Sequence, residues 1–261
     1  MFTLITGSSK GIGHALACEF AKQGHDLILC ARDRELLEQL KQKITTVYSV
    51  EVNIIPMDLG QNNSAFNLIK AIEEKGYEIN CLVNNAGIGY LGDFASMDSL
   101  YLNQMLQLNM ITVSELTRYF AKKFTQVGKG KILQVSSTAA FQPGPFMAAY
   151  YASKAYVASL SQALAYELKG SGVHVSILCP GPTQTNFFDS AGMDESFLAR
   201  GFLGIMTPEK VAKIAYRGLE KNKLFIIPGI LNKLLAYGAA ISPARVTRSI
   251  TALLHGKRQT P

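Results

Sequence analysis

"ITGSSKGIG", residues 5–13, sets Gly7, Gly11 and Gly13 between a short apolar run and an amphipathic stretch. Glycine lacks a Cβ, so this spacing permits a tight turn, close approach of a pyrophosphate and close packing of a helix on a strand. A helix opening at the end of such a turn points unsatisfied N–H groups and the positive end of its dipole at a phosphate. A glycine-rich turn by itself also fits a loop that holds no ligand. Its setting weighs against that reading, because it follows the strand-like "FTLIT" (2–6) and opens a helical pattern over about 11–24.

Outward from this turn the same alternation continues. "DLILCA" (26–31) precedes a helical pattern at 34–47, "VEVNIIPM" (50–57) one at 61–76, and "NCLVNN" (80–85) a long one near 98–126. "GKILQVSS" (130–137) leads into 148–170, "VHVSILCP" (173–180) into an irregular insert and a helix at about 208–222, and "LFIIP" (224–228) closes the series. Short, apolar, β-branched strands alternating with longer amphipathic segments predict a parallel sheet covered on both faces, with right-handed connections. The expected fold is α/β: a doubly wound, Rossmann-type single domain over 1–228, including an insert at 186–206, with a basic helical extension over 229–261.

Composition narrows the function classes. The chain has 261 residues, 48% of them hydrophobic, which is enough for one large core. No apolar run reaches 18 residues, and the start does not resemble a secretory signal. Cys18, Cys30, Cys81 and Cys179 are scattered and do not cluster with the histidines, so reduced thiols in a cytoplasmic protein are expected and no metal site. The net charge of +7 lies wholly in the tail: Lys221, Lys223, Lys233, Arg245, Arg248, Lys257 and Arg258 occur there without one Asp or Glu. No aromatic–basic motif for nucleic acid accompanies them.

A second stretch, "AAYYASKAY" (148–156), sets Tyr150 and Tyr151 four and three residues before Lys154. Both separations bring side chains together on one helix face, so spacing leaves either tyrosine as the partner of the lysine. A phenol beside an ammonium is a proton-transfer group, because the positive charge favours the phenolate of a group whose ordinary pKa is about 10.

Six pieces in order then resemble the short-chain dehydrogenase/reductase family. They are the T-G-x-x-x-G-x-G turn, "NNAG" (84–87), Asn109, Ser137 in "VSSTAA", Y-x-x-x-K at Tyr150 and Lys154, and "PGPTQT" (180–185). The resemblance covers about 2–228. It selects Tyr150, which follows Ser137 by 13 residues, and leaves Tyr151 in a variable slot. It implies a catalytic set of Asn109, Ser137, Tyr150 and Lys154: Tyr150 as acid or base, Ser137 donating to the substrate oxygen, Lys154 holding the nicotinamide ribose, and Asn109 holding a water that links Lys154 to solvent. Thr112, where many relatives have glycine, is a departure near Asn109. The resemblance also implies cofactor contacts from Gly7, Ser9, Lys10, Gly11, Ile12, Gly13, Asp58, Asn85, Ala86, Gly87, Pro180, Gly181, Thr183 and Thr185, beside Tyr150 and Lys154.

The end of the second strand bears on the choice of nucleotide. An NAD-preferring relative carries a carboxylate there for the ribose 2′-hydroxyl; this chain has Ala31 followed by Arg32. Arg32, with Lys10 in the glycine turn, suits a 2′-phosphate and implies NADP(H). The competing arrangement has Arg32 in solvent and Asp33 on the hydroxyl.

Apolar residues on either side of the expected cleft suggest a largely apolar carbonyl substrate: Phe141 and Phe146 on one rim, Phe187, Phe188, Met193 and Phe197 in the insert. Packing of the lid accounts for them equally well. The tail should form two amphipathic helices broken near Pro243 that fold back over the cleft or sheet; docking on a membrane surface is the less favoured alternative. Family resemblance implies a homodimer through 98–126 and 148–170. The expected activity is NADPH-dependent reduction of a ketone or aldehyde, or the reverse oxidation; a nucleotide-sensing protein or a membrane-peripheral 3-oxoacyl-type reductase are the alternatives.

Overall fold

The computed structural model describes residues 1–185 and 205–255. Seven parallel strands form one sheet: β1 (Phe2–Thr6), β2 (Asp26–Ala31), β3 (Val52–Pro56), β4 (Ile79–Asn84), β5 (Gly130–Val135), β6 (Val173–Leu178) and the short β7 (Phe225–Ile226). Their spatial order is β3-β2-β1-β4-β5-β6-β7, so the winding reverses between β1 and β4. Ligands of such sheets sit beyond the carboxyl ends of the strands at that reversal.

The helices are α1 (Gly11–Lys22), α2 (Arg34–Val47), α3 (Ser64–Glu74), α4 (Ser99–Leu106), α5 (Val113–Val127), α6 (Ala148–Glu167), α7 (Pro208–Glu220), α8 (Ile230–Ile241) and α9 (Ala244–His255). Successive strand side chains point to opposite faces, which explains the two cores. Ile5, Leu27 and Leu29 pack with Leu16 and Phe20 of α1, Leu37 of α2 and Val211 of α7. Leu4, Ile28 and Cys30 face the other way, toward Leu68 of α3 and Leu116, Phe120 and Phe124 of α5. Local signals set the helix ends. Asp33 accepts from Leu36 N (3.1 Å) at the start of α2, and Asp98 from Tyr101 N (2.8 Å) at the start of α4. Gly128, left-handed at φ 74°, ends α5.

Two features differ from the periodicity. The pattern at 98–126 is not one α-helix: a π-helical segment, Gln107–Thr112, separates α4 from α5. The tail does fold back as two helices, broken at Ser242–Pro243, and it packs over the carboxyl end of the sheet. Among the described residues, no helix is long and apolar enough to cross a membrane.

Behind the reversal lies a buried polar knot. The Thr117 hydroxyl donates to Val113 O (2.6 Å) and accepts from the amides of Gln134 (2.6 Å) and Asn84 (3.0 Å). Asn84 and Gln134 are almost wholly buried. Thr117→Val keeps the shape but strands both amide donors, so it should cost about 2–4 kcal/mol. The midpoint of urea-induced unfolding measures this; an unchanged midpoint would show that the knot adds nothing to stability.

Candidate active site

The site begins with the β1–α1 turn. Thr6 Oγ1 accepts from the backbone N–H of Asn85 (3.0 Å) and of Ala86 (3.1 Å). The Asn85 amide donates back to Thr6 O and Gly7 O, both at 3.0 Å. Gly7 sits at φ +64°, and a Cβ there would lie 2.7 Å from Ala86 Cα. No residue with a side chain fits that position, so the glycine is what brings the ends of β1 and β4 together. Thr6 is the threonine of the T-G-x-x-x-G-x-G turn, but what its hydroxyl holds is read only from the fold.

This turn forms one end of a cavity of about 1110 Å³. Gly7, Ser9, Lys10, Gly11, Ile12, Gly13, Arg32, Asp58, Asn85, Ala86, Gly87, Pro180, Gly181, Thr183 and Thr185 all line it, with Ser137, Tyr150 and Lys154 further along. The dimensions and the crowded glycine turn suit a dinucleotide, with the opening of α1 at its phosphates. Asp58 is turned into its own loop, accepting from Gly60 N (2.9 Å) and from the Gln61 amide (3.0 Å).

Helix α6 separates the two tyrosines. The Lys154 ammonium lies 5.8 Å from the Tyr150 ring centroid and donates to Val135 O (2.9 Å). Ser137 hydrogen-bonds to the Tyr150 phenol. Tyr151 also lines the cavity but is turned to the tail: its hydroxyl meets His255 Nε2 at 3.0 Å, while His255 Nδ1 contacts Pro145 O at 2.7 Å. A carbonyl only accepts, so Nδ1 carries the proton and Nε2 of the neutral ring accepts from the Tyr151 hydroxyl.

Burial governs the ionisation of the pair. It pushes the Tyr150 phenol up to about 12, with the Ser137 hydrogen bond opposing. The lowering expected from Lys154 is therefore not what the protein's own groups produce: desolvation of the phenolate is the larger effect. The same burial pushes the Lys154 ammonium down to about 8.

Asn109 is buried in the π-helical segment and does not line the cavity. Its amide donates to Ile88 O (2.9 Å) and Ser153 Oγ (3.1 Å), and its Oδ1 accepts from Ile88 N (3.0 Å). A Cβ on Gly87 would come within 3.2 Å of Asn109 Oδ1 and 3.3 Å of Lys154 Nζ, so Gly87 keeps those two groups close. Thr112 closes the segment by donating to Leu59 O (2.9 Å).

The substrate end differs from expectation. Phe141 turns away from the cavity and packs on Phe225 and Tyr237, with centroids 5.8 and 6.2 Å away. Phe146, with φ +65°, lines a separate small depression with Tyr90 and Met105. Phe187, Phe188, Met193 and Phe197 lie outside the described residues. Instead Leu235, Ala239, Val246, Ile250 and Leu254 of α8 and α9 wall this end, opposite Met147 and Tyr150. Their amphipathic spacing is visible in the sequence, which leaves open whether the tail covers the cleft or the sheet.

Residues 2–196 match the family model for short chain dehydrogenase. The chain belongs to the short-chain dehydrogenase family. It is 36% identical over 184 residues to a very-long-chain 3-oxoacyl-CoA reductase of Anas platyrhynchos, a match covering 69% of this chain and 58% of that relative. It is 30% identical over 231 residues to a 7beta-hydroxysteroid dehydrogenase of Clostridium sardiniense, covering 88% of this chain and 86% of that one. A structure of a short-chain dehydrogenase from Sphingobium yanoikuyae in complex with NADPH superposes with a TM-score of 0.83 at 31% identity, over 100% of this chain and 97% of that one. The family is one of oxidoreductases that act on alcohol or ketone groups with a nicotinamide cofactor.

The clasp between α9 and α6 has a pH signature. Burial lowers the His255 pKa, with the Pro145 hydrogen bond opposing, so the folded state prefers the neutral ring. The unfolded chain binds that proton near the ordinary value of about 6.5. Stability from this group is complete above that value and is lost as pH falls through it toward the lower folded value. His255→Gln keeps hydrogen-bonding capacity without titrating. Its melting temperature should fall less than that of the wild type between pH 7.5 and 5.5, and identical pH slopes would count against the clasp.

Proposed function

We propose that this chain uses NADPH to reduce the carbonyl of a bulky, largely apolar substrate, with Tyr150 as the proton donor. The observation that carries this reading is the convergence of Ser137, Tyr150 and Lys154 on one wall of a cavity. The glycine turn forms one end of that cavity and the apolar residues of α8 and α9 form the other.

The nicotinamide, when bound, supplies the hydride to the carbonyl carbon. Tyr150 gives its proton to the carbonyl oxygen. A phenol held at about 12 is fully protonated at neutral pH, as a general acid must be. Ser137 donates to the same oxygen as charge gathers there. Lys154, cationic below about 8, steadies the phenolate that remains and holds the ribose hydroxyls. Asn109 braces the backbone at Ile88 and the hydroxyl of Ser153, and through them the wall that carries Lys154. A proton donor pushed this high favours reduction near neutrality, whereas oxidation of an alcohol requires the phenolate and gains as pH rises.

The choice of nucleotide rests on Arg32 and Lys10. Both are exposed and line the cavity. Asp33, the other candidate, has its carboxylate on Leu36 N as the cap of α2. A guanidinium and an ammonium suit a 2′-phosphate, and the carboxylate of Asp33 is engaged as the cap of α2. The NADPH complex of the Sphingobium yanoikuyae relative supports the same choice. The 3-oxoacyl-CoA and hydroxysteroid activities of the other relatives suggest an acyl-chain or steroid-like ketone, in keeping with the apolar wall.

Tyr150→Phe should lower kcat roughly 10²–10⁴-fold while nucleotide affinity is retained, whereas Tyr151→Phe should leave most turnover. A screen of bulky ketones monitored by NADPH absorbance reads both; turnover that survives Tyr150→Phe defeats the mechanism. Arg32→Ala should weaken NADPH binding about tenfold or more, from the loss of a charge-assisted contact, and leave NADH binding unchanged. If AMP displaces the cofactor as well as 2′,5′-ADP does, the assignment of Arg32 is wrong.

A further inference from the structure

Helices α8 and α9 have a second face. Among the described residues, nine of the 20 large exposed apolar side chains fall within residues 230–255. Elsewhere such residues are scattered singly and need no explanation. On α8, Ile230, Leu234, Tyr237 and Ile241 recur at helical spacing, opposite the buried Asn232 and Ala236. Ile230 and Ile241 are 82% and 88% exposed. On α9, Val246, Ile250 and Leu253 form the matching stripe, opposite Thr247, Thr251 and His255, which are buried. A contiguous apolar surface of this kind marks an interaction site.

The charge beside it has one sign. Lys233, Arg245 and Arg248 are exposed on the same two helices, none is in an ion pair among the described residues, and the sequence from Lys221 onward has no acidic residue. Apolar stripes flanked only by cations are the composition of helices that lie in the interface of an anionic bilayer. A second copy of the chain is a poorer occupant, because a two-fold contact sets the same patch against itself and opposes cation to cation. Position supplies the other argument. Leu234, Leu235, Val246 and Ile250 line the cavity and are also 46–66% exposed, so the docking face and the rim of the cleft are made of the same side chains.

We propose that the outer face of α8 and α9 docks the protein on an anionic membrane surface, with the mouth of the cleft turned toward the acyl chains. The surface assignment stands independently of the reaction assigned above, since vesicle binding requires no turnover.

Flotation of the full chain with phosphatidylcholine vesicles, with and without phosphatidylglycerol, tests it. The wild type should float with the anionic vesicles at low salt, at least tenfold more than with neutral ones, and raised salt should release it. Two triple variants separate the contributions. Lys233→Glu with Arg245→Glu and Arg248→Glu should abolish the preference for anionic lipid. Ile230→Ser with Ile241→Ser and Leu253→Ser, none of which lines the cavity, should lower binding at least tenfold. An unaltered melting transition shows that each variant is folded; should either fail to fold, the wild-type comparison of the two lipids decides alone. The proposal is overturned if the wild type does not float with anionic vesicles, or if both folded variants float as it does. It is also overturned if sedimentation velocity without lipid shows self-association that the serine variant abolishes, since the face would then belong to a second copy.

Discussion

The ends of β1 and β4 approach so closely that only a glycine fits between them, and the rest of the site is laid out from that contact. Thr6 and Asn85 exchange hydrogen bonds across the gap, and Gly7, in the left-handed region, brings its carbonyl within reach of the same amide. This is also where the winding of the sheet reverses. The helices on either side of the reversal leave to opposite faces, and a crevice opens between them. Asn85 is thus a brace: its amide holds the glycine turn in shape by donating to Thr6 O and Gly7 O. This end of the cavity is set by backbone geometry.

At the other end burial is the organising force, and it acts oppositely on two neighbours. Removing water raises the phenol of Tyr150 and lowers the ammonium of Lys154, so both shift toward their neutral forms. The ordinary gap between a tyrosine and a lysine is small; here the order of the two is reversed. Coulombic attraction of a phenolate to the lysine then acts against a desolvation cost that both share. The spacing of Tyr150 and Lys154 shows their proximity, hence the attraction, and says nothing of the solvent left around them.

The same distinction separates what could be read beforehand from what could not. Strand alternation, the glycine turn and the break near Pro243 are local patterns, and each appears in the fold close to where periodicity put it. The family resemblance points to Tyr150, whose ring lies 5.8 Å from Lys154 Nζ. What escaped were contacts set by tertiary packing. The π-helical segment buries Gln107, Asn109 and Thr112, polar residues that carry no helix-breaking signal in the sequence. Phe141 faces Tyr237 only because α8 comes back across the turn after β5. His255 meets Tyr151 across 104 positions of chain, a pairing that no local spacing contains.

The tail brings these threads together. It is attached by a few directional contacts, the Tyr151–His255–Pro145 chain and the Asn232 amide on Pro228 O (2.8 Å), and by modest apolar burial. Beyond Asn232, the residues its two helices bury are mostly small or polar: Ala236, Thr247 and Thr251. Their large apolar side chains instead point to the cavity rim and outward. A helix pair meant only to complete the core would place leucine and isoleucine inward, since each such side chain buried contributes about 1.5–3 kcal/mol. Here the inward face is made of small residues that allow close approach, and the bulk is kept for whatever meets the rim. A wall of this construction is tied to the body by hydrogen bonds from His255 and by little apolar burial.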